Sequence, residues 1–176
     1  AYIMPTRAKE YSSSNKHSNY FMIIDKMMRD ELPKKIADSN SMQEVYEMLR
    51  SYPLLGNFLA FQYAIDLNYS TLTDFDEMSF VVPGPGAIDG IRKCFADLAG
   101  LSNVDIIKLM ADNQEREFSR YGIEFKTLWG RRLQLIDCQN IFCEIDKYSR
   151  VMYPQYNGVS GRTRIKQKFR INSTPI

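Results

Sequence analysis

Residues 49–60 have the sequence LRSYPLLGNFLA, in which Pro53 and Gly56 interrupt an otherwise helical pattern. The segment before them opens with a capping box at residues 41–44, SMQE, followed by apolar side chains at helical spacing. The segment after them, residues 57–67, keeps its apolar side chains in helical register. The sequence therefore predicts two amphipathic helices joined by a tight Pro-x-x-Gly hairpin.

This hairpin resembles the helix-hairpin-helix element, which directs backbone N–H groups at the start of its second helix toward a DNA phosphate. A helix N-terminus attracts anions through unpaired amides and its dipole, and Gly56 permits close backbone approach. The usual second glycine is missing, since Asn57 directly follows Gly56. An ordinary helical hairpin packed in a core is the alternative. Gly56 and Asn57 are the candidate DNA-binding residues of this element.

Helical periodicity continues on both sides of the hairpin. It predicts helices over residues 20–30, 87–98, 102–121 and 128–152, and no segment indicates a central strand. At 176 residues the chain is long enough for one substantial core, so we expect a single all-α domain over residues 1–176. Residues 1–19 and 154–176 are predicted to be an irregular arm and tail, and the opening Ala1 leaves open that the chain is an excerpt.

Composition excludes several classes of protein. No apolar run approaches the roughly 20 residues that span a bilayer, so we expect a soluble, intracellular protein without a membrane partner, in either nucleus or cytoplasm. The three cysteines form no CxxC pair and favour a reducing compartment over a disulfide framework. The sequence predicts neither a metal site nor a cofactor.

Positive charge is concentrated at one end of the chain. Residues 150–176 hold six basic and no acidic residues, which leaves 17 basic against 21 acidic residues before them. Such a segment favours contact with a polyanion, because counterion release requires clustered Lys and Arg. A solvated tail is the alternative. The basic residues are Arg150, Arg162, Arg164, Lys166, Lys168 and Arg170.

A second glycine-rich turn occurs at residues 81–86, VVPGPG. Gly84 and Gly86 can present backbone amides to an anion, with Arg92 and Lys93 in the following helix to assist. No Gly-Lys-Ser/Thr follows, so this is not a nucleotide-binding P-loop and the chain cannot itself be a kinase. Asp89 falls inside the predicted helix, where it is either catalytic or a solvated first-turn acid.

The last predicted helix carries a polar row on one side. Its members Asp137, Asn140, Glu144 and Lys147 can hold a proton, orient a nucleophile or read a base edge if they face a pocket. An exposed charged face is the alternative. The opposite, apolar face is predicted to contain Leu135, Cys138, Ile141, Phe142, Ile145, Tyr148 and Met152.

Two polar residues close the helix after the hairpin. Asp66 lies at its C-terminal end, where an acid opposes the helix dipole, and this suggests a purpose other than stability. Asn68 lies beside it and is a second candidate.

Three runs, taken in order, resemble the helical domain of the 5-hydroxymethyluracil DNA kinase and thymine-hypermodification group: residues 58–70, 84–95 and 137–148. The resemblance covers roughly residues 20–169. It implies a helix-hairpin-helix DNA glycosylase-like fold that works on a modified thymine, either replacing an activated 5-substituent or presenting the base to a kinase partner. By position, the matching site residues are Gln62, Asp66, Asn68, Asp89, Asp137, Asn140, Glu144, Asp146 and Lys147.

The leading hypothesis is a DNA-binding domain that acts on a hydroxymethylated base, with group transfer at the 5-substituent. The hairpin and the basic tail hold phosphates, the target base leaves the stack, and the carboxylates and Asn140 face it. The DNA is expected to be single-stranded or a base-flipped duplex. The alternatives are a hydrolytic DNA glycosylase and a non-catalytic DNA-binding or kinase-docking module.

Overall fold

A computed structural model describes residues 16–128, 130–156, 158 and 161. This part of the chain contains seven α-helices and no strand, with one isolated bridge between Leu128 and Arg131. The all-α prediction is confirmed, whereas the helix-hairpin-helix glycosylase-like architecture stays a prediction. The helices are α1 (Lys16–Arg29), α2 (Leu32–Ala37), α3 (Met42–Arg50), α4 (Asn57–Asn68), α5 (Pro85–Cys94), α6 (Asn103–Arg120) and α7 (Leu135–Met152).

The chain forms two compact units, of which one ends at Val82 and the other begins at Pro83. Helices α1–α4 belong to the first unit and α5–α7 to the second. The assignment of residues 1–176 to one domain stays a prediction. Most of the predicted arm, residues 1–15, and the tail from residue 162 onward lie outside the described residues.

In the first unit, α1 begins at Lys16, inside the predicted arm, and ends at Arg29, one residue before the predicted end. Glu31 adopts a left-handed backbone with φ of 54°, and Pro33 then occupies the first turn of α2. Proline is tolerated there because the first helical amides lack an intrahelical acceptor. This second helix buries two apolar side chains, Leu32 and Ile36.

The predicted helical hairpin is present as α3 and α4. Ser41 Oγ accepts a hydrogen bond from Glu44 N at 3.2 Å, which caps α3 as the sequence predicted. Leu54 takes the left-handed conformation in the turn, with φ of 68°, and Leu55 N donates to Tyr52 O at 3.3 Å. Leu55 is buried, so the strained turn is held by its apolar side chain.

The connection after α4 returns to the same hairpin. The Asn68 side chain bonds both backbone groups of Phe75, at 2.8 and 2.9 Å, and orders the start of the connection. Further along, the Phe80 ring packs against Tyr46 of α3 and Phe61 of α4, with centroids 5.3 and 5.9 Å apart. The connection therefore packs against both helices of the hairpin at its far end.

In the second unit, α5 is shorter than predicted and ends at Cys94 rather than near residue 98. Phe95 is extended, with φ of −121° and ψ of 123°, and its ring lies 6.3 Å from that of Phe142 in α7. The local sequence pattern is helical beyond Cys94, but the helix ends there. Phe95 instead makes an aromatic contact with α7, which is distant in sequence.

Helix α6 has the ends that the sequence predicted. Ser102 and Asp105 form a reciprocal capping box, and Gly122 adopts φ of 64° just beyond the last turn. In its middle, Gln114 Oε1 accepts from Leu133 N at 2.8 Å, and Gln114 Nε2 donates to Leu133 O at 3.0 Å. This buried amide satisfies both backbone groups of Leu133, as a neighbouring strand would.

The predicted start of α7 at residue 128 is wrong, because α7 begins at Leu135. Residues 128 and 131 form a tight turn in which Gly130 has φ of 88°, a conformation that favours glycine. Gln114 then bonds both backbone groups of Leu133. The helix begins only where Gln134 and Asp137 form a capping box.

Candidate nucleic-acid interface

Two glycines bring α5 and α7 close together. A Cβ atom on Gly90 would lie 2.0 Å from the backbone oxygen of Phe142, so any side chain there would force the helices apart. A Cβ atom on Gly86 would lie 3.1 Å from Cys143 Sγ. The two glycines are four residues apart and therefore share one face of α5. Because the two helices pack so closely, a second row of polar residues on α7 lies in the interior.

We call this second row the inner row: Gln139, Cys143, Asp146 and Arg150, spaced four, three and four residues apart. Gln139 is fully buried, and its Oε1 accepts from Gly84 N at 3.1 Å. Its Nε2 donates to Asn140 Oδ1 at 2.8 Å. The Pro-Gly turn is therefore fastened to α7, and the Gly84 amide predicted to meet an anion is engaged by Gln139 instead.

Asp146 is the centre of a buried ion-pair network. Its Oδ1 accepts from Lys93 Nζ at 2.8 Å, and its Oδ2 lies 3.1 Å from Arg150 Nη2. All three side chains are at least nine-tenths buried. Such pairs compensate the cost of removing charges from water only when they remain complete. The network thus joins α5 to α7 and links two successive turns near the C-terminal end of α7. Its members had all been predicted to contact DNA: Lys93, Asp146 and Arg150.

Asp89, predicted to be catalytic, is also buried in this unit. It lies inside α5 as predicted, one helical turn before Lys93. The backbone of Gly158 approaches it so closely that a Cβ atom there would lie 2.5 Å from Asp89 Cγ. The carboxylate is therefore covered by the segment that follows α7. Its catalytic role stays a prediction.

The other polar side of α7, here called the outer row, consists of Asp137, Asn140, Glu144 and Lys147. The first three line an open groove with a volume of about 520 Å³. Most of the remaining lining is apolar, so the predicted polar row does face a concave surface. The other lining residues are Leu128, Leu133, Ile141, Ile145 and Tyr148.

The predicted apolar face of α7 is only partly correct. Leu135, Cys138 and Phe142 are buried, but Ile141, Tyr148 and Met152 are exposed large apolar or aromatic side chains. Gln139, Asp146 and the Arg150 side chain of the inner row are buried instead, at positions that the predicted apolar face does not include. Ile141 and Tyr148 therefore face the groove rather than the core.

Asp137 has two structural partners at the start of the groove. Its Oδ2 accepts from Gln134 N at 2.8 Å, which completes the capping box of α7. The same oxygen lies 2.8 Å from Arg131 Nη1, and Oδ1 lies 3.5 Å from Nη2. Asp137 thus fixes the first turn of the helix and brings Arg131 beside the groove.

Glu144 and Lys147 form an exposed ion pair further along the row. Exposed pairs contribute little to stability, so both side chains can exchange partners at low cost. Asn140 is exposed between Asp137 and Glu144. The arrangement offers an amide and a carboxylate above an apolar floor, and the amide oxygen of Asn140 also accepts a hydrogen bond from the buried Gln139 side chain.

The candidates of the first unit are dispersed. Gly56 and Asn57 are exposed at the start of α4, and Gly56 has open space around its Cα. Gln62 is buried in the same helix, and Asp66 is exposed near its end. Asn68 orders the following loop through its bonds to Phe75. Each remains a predicted site residue.

The described structure thus brings the predicted residues of α5 and α7 into two groups. The buried group contains Asp89, Lys93, Asp146 and Arg150, and the groove contains Asp137, Asn140 and Glu144, with Lys147 at its border. Arg92 is exposed on α5, and Gly86 packs on Cys143. The basic residues of the tail, Arg162, Arg164, Lys166 and Lys168, lie outside the described residues.

Gln139 and Cys143 were not predicted to be important. A signal for them was present, because they are in helical register with Asp146 and Arg150. Gly86 and Gly90, also one turn apart, indicate close approach of another element to α5. Together these two spacings mark the α5–α7 contact.

Within the described residues, no helix combines the length and apolar character needed to cross a membrane. In that same part of the chain, His, Cys, Asp and Glu side chains nowhere form a group of three that could hold a metal ion. Burial raises the pKa of the Cys138 thiol to about 11, with the Asp137 charge adding to the effect. This thiol is therefore a protonated core side chain at neutral pH.

Comparison with known proteins identifies the family. Residues 1–158 match the model of the 5-hmdU DNA kinase, helical domain. The 5-hmdU DNA kinase of Bacillus phage SP10 is 34% identical over 154 residues, which are 82% of this chain and 24% of the relative. This chain thus spans about a quarter of that relative's length. No solved structure gives a significant match. The chain belongs to the family of 5-hmdU DNA kinase helical domains.

Proposed function

We propose that this chain is the DNA-recognition part of a 5-hydroxymethyluracil DNA kinase and that it receives the target base in the groove of α7. Membership of the kinase helical-domain family supports DNA as the substrate. Group transfer at the 5-substituent then takes place with a kinase domain as partner, since this chain has no P-loop.

The groove carries the proposal because its chemistry fits a pyrimidine. The apolar side chains of Leu133, Ile141 and Ile145 offer a surface for the flat ring. Asn140 has one donor group and one acceptor group, which match adjacent positions on the edge of a uracil. Tyr148 lies at the same groove and offers an aromatic face. Glu144 is the acceptor within reach of a hydroxymethyl group.

The base must leave the duplex to enter this groove, since its edge and its 5-substituent are shielded by the stack. Extrusion costs a few kcal/mol, and base–aromatic stacking can return about 1–3 kcal/mol. Asp137, Glu144 and Lys147 take positioning roles at the groove, and the catalytic roles of Asp66 and Asp89 stay predictions. Asp137 holds the first turn and Arg131, while Glu144 and Lys147 adjust to the bound base.

Binding to matched oligonucleotides tests the proposal. We expect tighter binding to DNA with one 5-hydroxymethyluracil than to the same DNA with thymine. Glu144→Ala should remove most of this preference, about tenfold, because the two bases differ only in the hydroxymethyl group assigned to Glu144, and a specific hydrogen-bonded contact contributes about 1–3 kcal/mol of discrimination. Asn140→Ala should weaken binding to both oligonucleotides alike, because thymine and 5-hydroxymethyluracil share the ring edge that Asn140 meets. Asn113→Ala is the matched control, since Asn113 is an amide on α6 outside the groove.

Equal affinity of the protein for both oligonucleotides would contradict the proposal. Preference that survives Glu144→Ala would place recognition of the hydroxymethyl group elsewhere on the chain. Analysis of the DNA after incubation separates the alternatives: an alkali-labile abasic site would indicate the hydrolytic glycosylase, and unchanged nucleosides agree with a recognition module.

A further inference from the structure

Three exposed tyrosines form a continuous cluster at the C-terminal end of α7. The Tyr148 and Tyr153 ring centroids are 6.4 Å apart, and those of Tyr153 and Tyr156 are 6.5 Å apart. The exposed fractions of these residues are 58%, 47% and 63%. We call this group the tyrosine cluster. Its rings contact one another while about half of each remains open to a ligand.

The backbone holds the tyrosine cluster in place. Tyr153 N donates to Ser149 O at 2.8 Å, and Tyr156 N donates to Tyr153 O at 3.0 Å. The buried pair of Asp146 and Arg150 anchors the preceding turn of α7. The cluster is therefore a fixed feature at the end of the helix, which lowers the entropy cost of binding there.

Ring orientation leaves aromatic faces available. The rings meet at interplanar angles of 72° and 58°, so no face is covered by parallel stacking. Phe118 and Phe125 differ, because their rings stack at 19° with centroids 4.9 Å apart. A stack of that kind uses one face of each ring, whereas a tilted cluster keeps faces open for flat ligands.

Charge identifies the class of ligand. From Val151 to Ile176 the sequence contains five Lys and Arg residues and no Asp or Glu. Arg162, the first of them, follows Tyr156 by six residues in the sequence. Aromatic faces followed along the chain by clustered cations suit single-stranded nucleic acid, which offers unstacked bases and phosphates together.

We propose that Tyr148, Tyr153 and Tyr156 are a stacking platform for unpaired bases, and that the substrate is single-stranded or locally opened DNA. The platform continues from the groove, because Tyr148 belongs to both. This deepens the proposed function and rests on it for the identity of the nucleic acid. Nucleotides beside the target base stack on Tyr153 and Tyr156 while the target base lies in the groove.

Binding of the full chain to thymine-only oligonucleotides tests the platform independently of 5-hydroxymethyluracil. We expect single strands to bind at least tenfold more tightly than the matched duplex. Tyr153→Leu and Tyr156→Leu should each weaken single-strand binding about five- to hundredfold, the range for loss of one stacked base. Tyr153→Phe and Tyr156→Phe keep the ring and should stay within about twofold of the unsubstituted protein.

Tyr121→Leu is the matched control, because Tyr121 is equally exposed but lies after α6 and outside the cluster. Unchanged single-strand affinity in both leucine variants would overturn the proposal, as would equal binding of duplex. Binding to phosphatidylserine vesicles that the same substitutions abolish, without binding to single strands, would also overturn it and indicate a lipid surface.

The outcomes of the two experiments are independent of each other. If the leucine variants lose single-strand binding but Glu144→Ala leaves base preference unchanged, the platform stands and the groove assignment fails. If base preference depends on Glu144 while the leucine variants bind normally, the groove stands and the platform fails.

Discussion

The inner and outer rows of α7 have similar residues and opposite environments. Each row has an amide, a carboxylate and a cation at helical spacing. In the inner row these groups are Gln139, Asp146 and Arg150, all buried against α5 or bound to each other. In the outer row they are Asn140, Glu144 and Lys147, all exposed beside a groove.

Burial, rather than residue type, distinguishes the residues that hold α7 in place from those that remain accessible to a ligand. Asp146 and Glu144 both pair with cations, but only Asp146 has been removed from water. Its pairing is needed to offset desolvation, so its partners are fixed. Glu144 keeps most of its hydration and can change partners at little cost. The charges of the outer row are therefore the ones that a ligand can reach without disrupting a buried pair.

Asp146→Asn should have the largest effect on stability. The substitution keeps the shape of the side chain but leaves the Lys93 and Arg150 charges buried without their counterion. We expect a loss of about 3–5 kcal/mol, as for other broken buried pairs. Urea denaturation followed by circular dichroism measures this as a lower midpoint at unchanged slope.

Glu144→Gln is the matched control for that substitution, since it removes a carboxylate from the exposed row of the same helix. Its expected effect is within about 0.5 kcal/mol. Equal effects of the two substitutions would mean that the inner row is solvated, and the contrast between the rows would disappear.

Gly90→Ala should have the next largest effect. The new methyl group would lie 2.0 Å from a backbone oxygen of α7, which cannot rotate away. Separating the helices costs about 1–3 kcal/mol, the usual range for overpacking. Gly86→Ala meets only a sulfur atom at 3.1 Å and gains helix propensity, so its unfolding free energy should change by less than about 0.5 kcal/mol.

Thermal unfolding of both alanine variants gives this comparison directly. A Gly90→Ala protein as stable as the original would show that α5 and α7 can separate freely. In that case the burial of the inner row would not be enforced by close packing.

Local signals predicted most of the helices, and distant contacts explain the errors. Ser41 and Ser102 form caps with residues three positions away, so the starts of α3 and α6 could be predicted. The start of α7 could not be predicted in this way, because both backbone groups of Leu133 are bonded to Gln114, which lies 19 residues earlier in the chain. Residues 128–134 are individually compatible with a helix.

The candidate site was predictable on one side of α7 only. The outer row follows from the helical spacing of polar residues, and that spacing predicted Asn140 and Glu144 correctly as neighbours. Hydrophobic periodicity treats Asp146 and Arg150 as surface residues, because it has no information about ion pairing. Only the glycines at 86 and 90 indicated that a second helix covers that side.

Cys138 lies on the buried side of α7, and the change in the free energy of unfolding at alkaline pH tests that burial. Its pKa of about 11, raised mainly by burial, exceeds the value of about 8.5–9 for a free thiol. The unfolded chain therefore loses this proton first, and the contribution of Cys138 to stability falls as pH rises from about 9 to 11. The loss should reach about 1 kcal/mol by pH 9.5. Cys138→Ala should flatten this decline, and the same slope in both proteins would contradict burial of the thiol.

The smallest effect is expected for the exposed pair of Glu144 and Lys147. A double-mutant cycle with Glu144→Gln and Lys147→Met should give a coupling of about 0.2–0.5 kcal/mol in low salt, and less in high salt. Stronger coupling would mean that the pair is shielded from water, and that its ions could not exchange partners easily. Weak coupling leaves Glu144 free to accept a hydrogen bond from a bound base and Lys147 free to approach a phosphate. The outer row then binds a ligand without disturbing the buried network on the other side of the same helix.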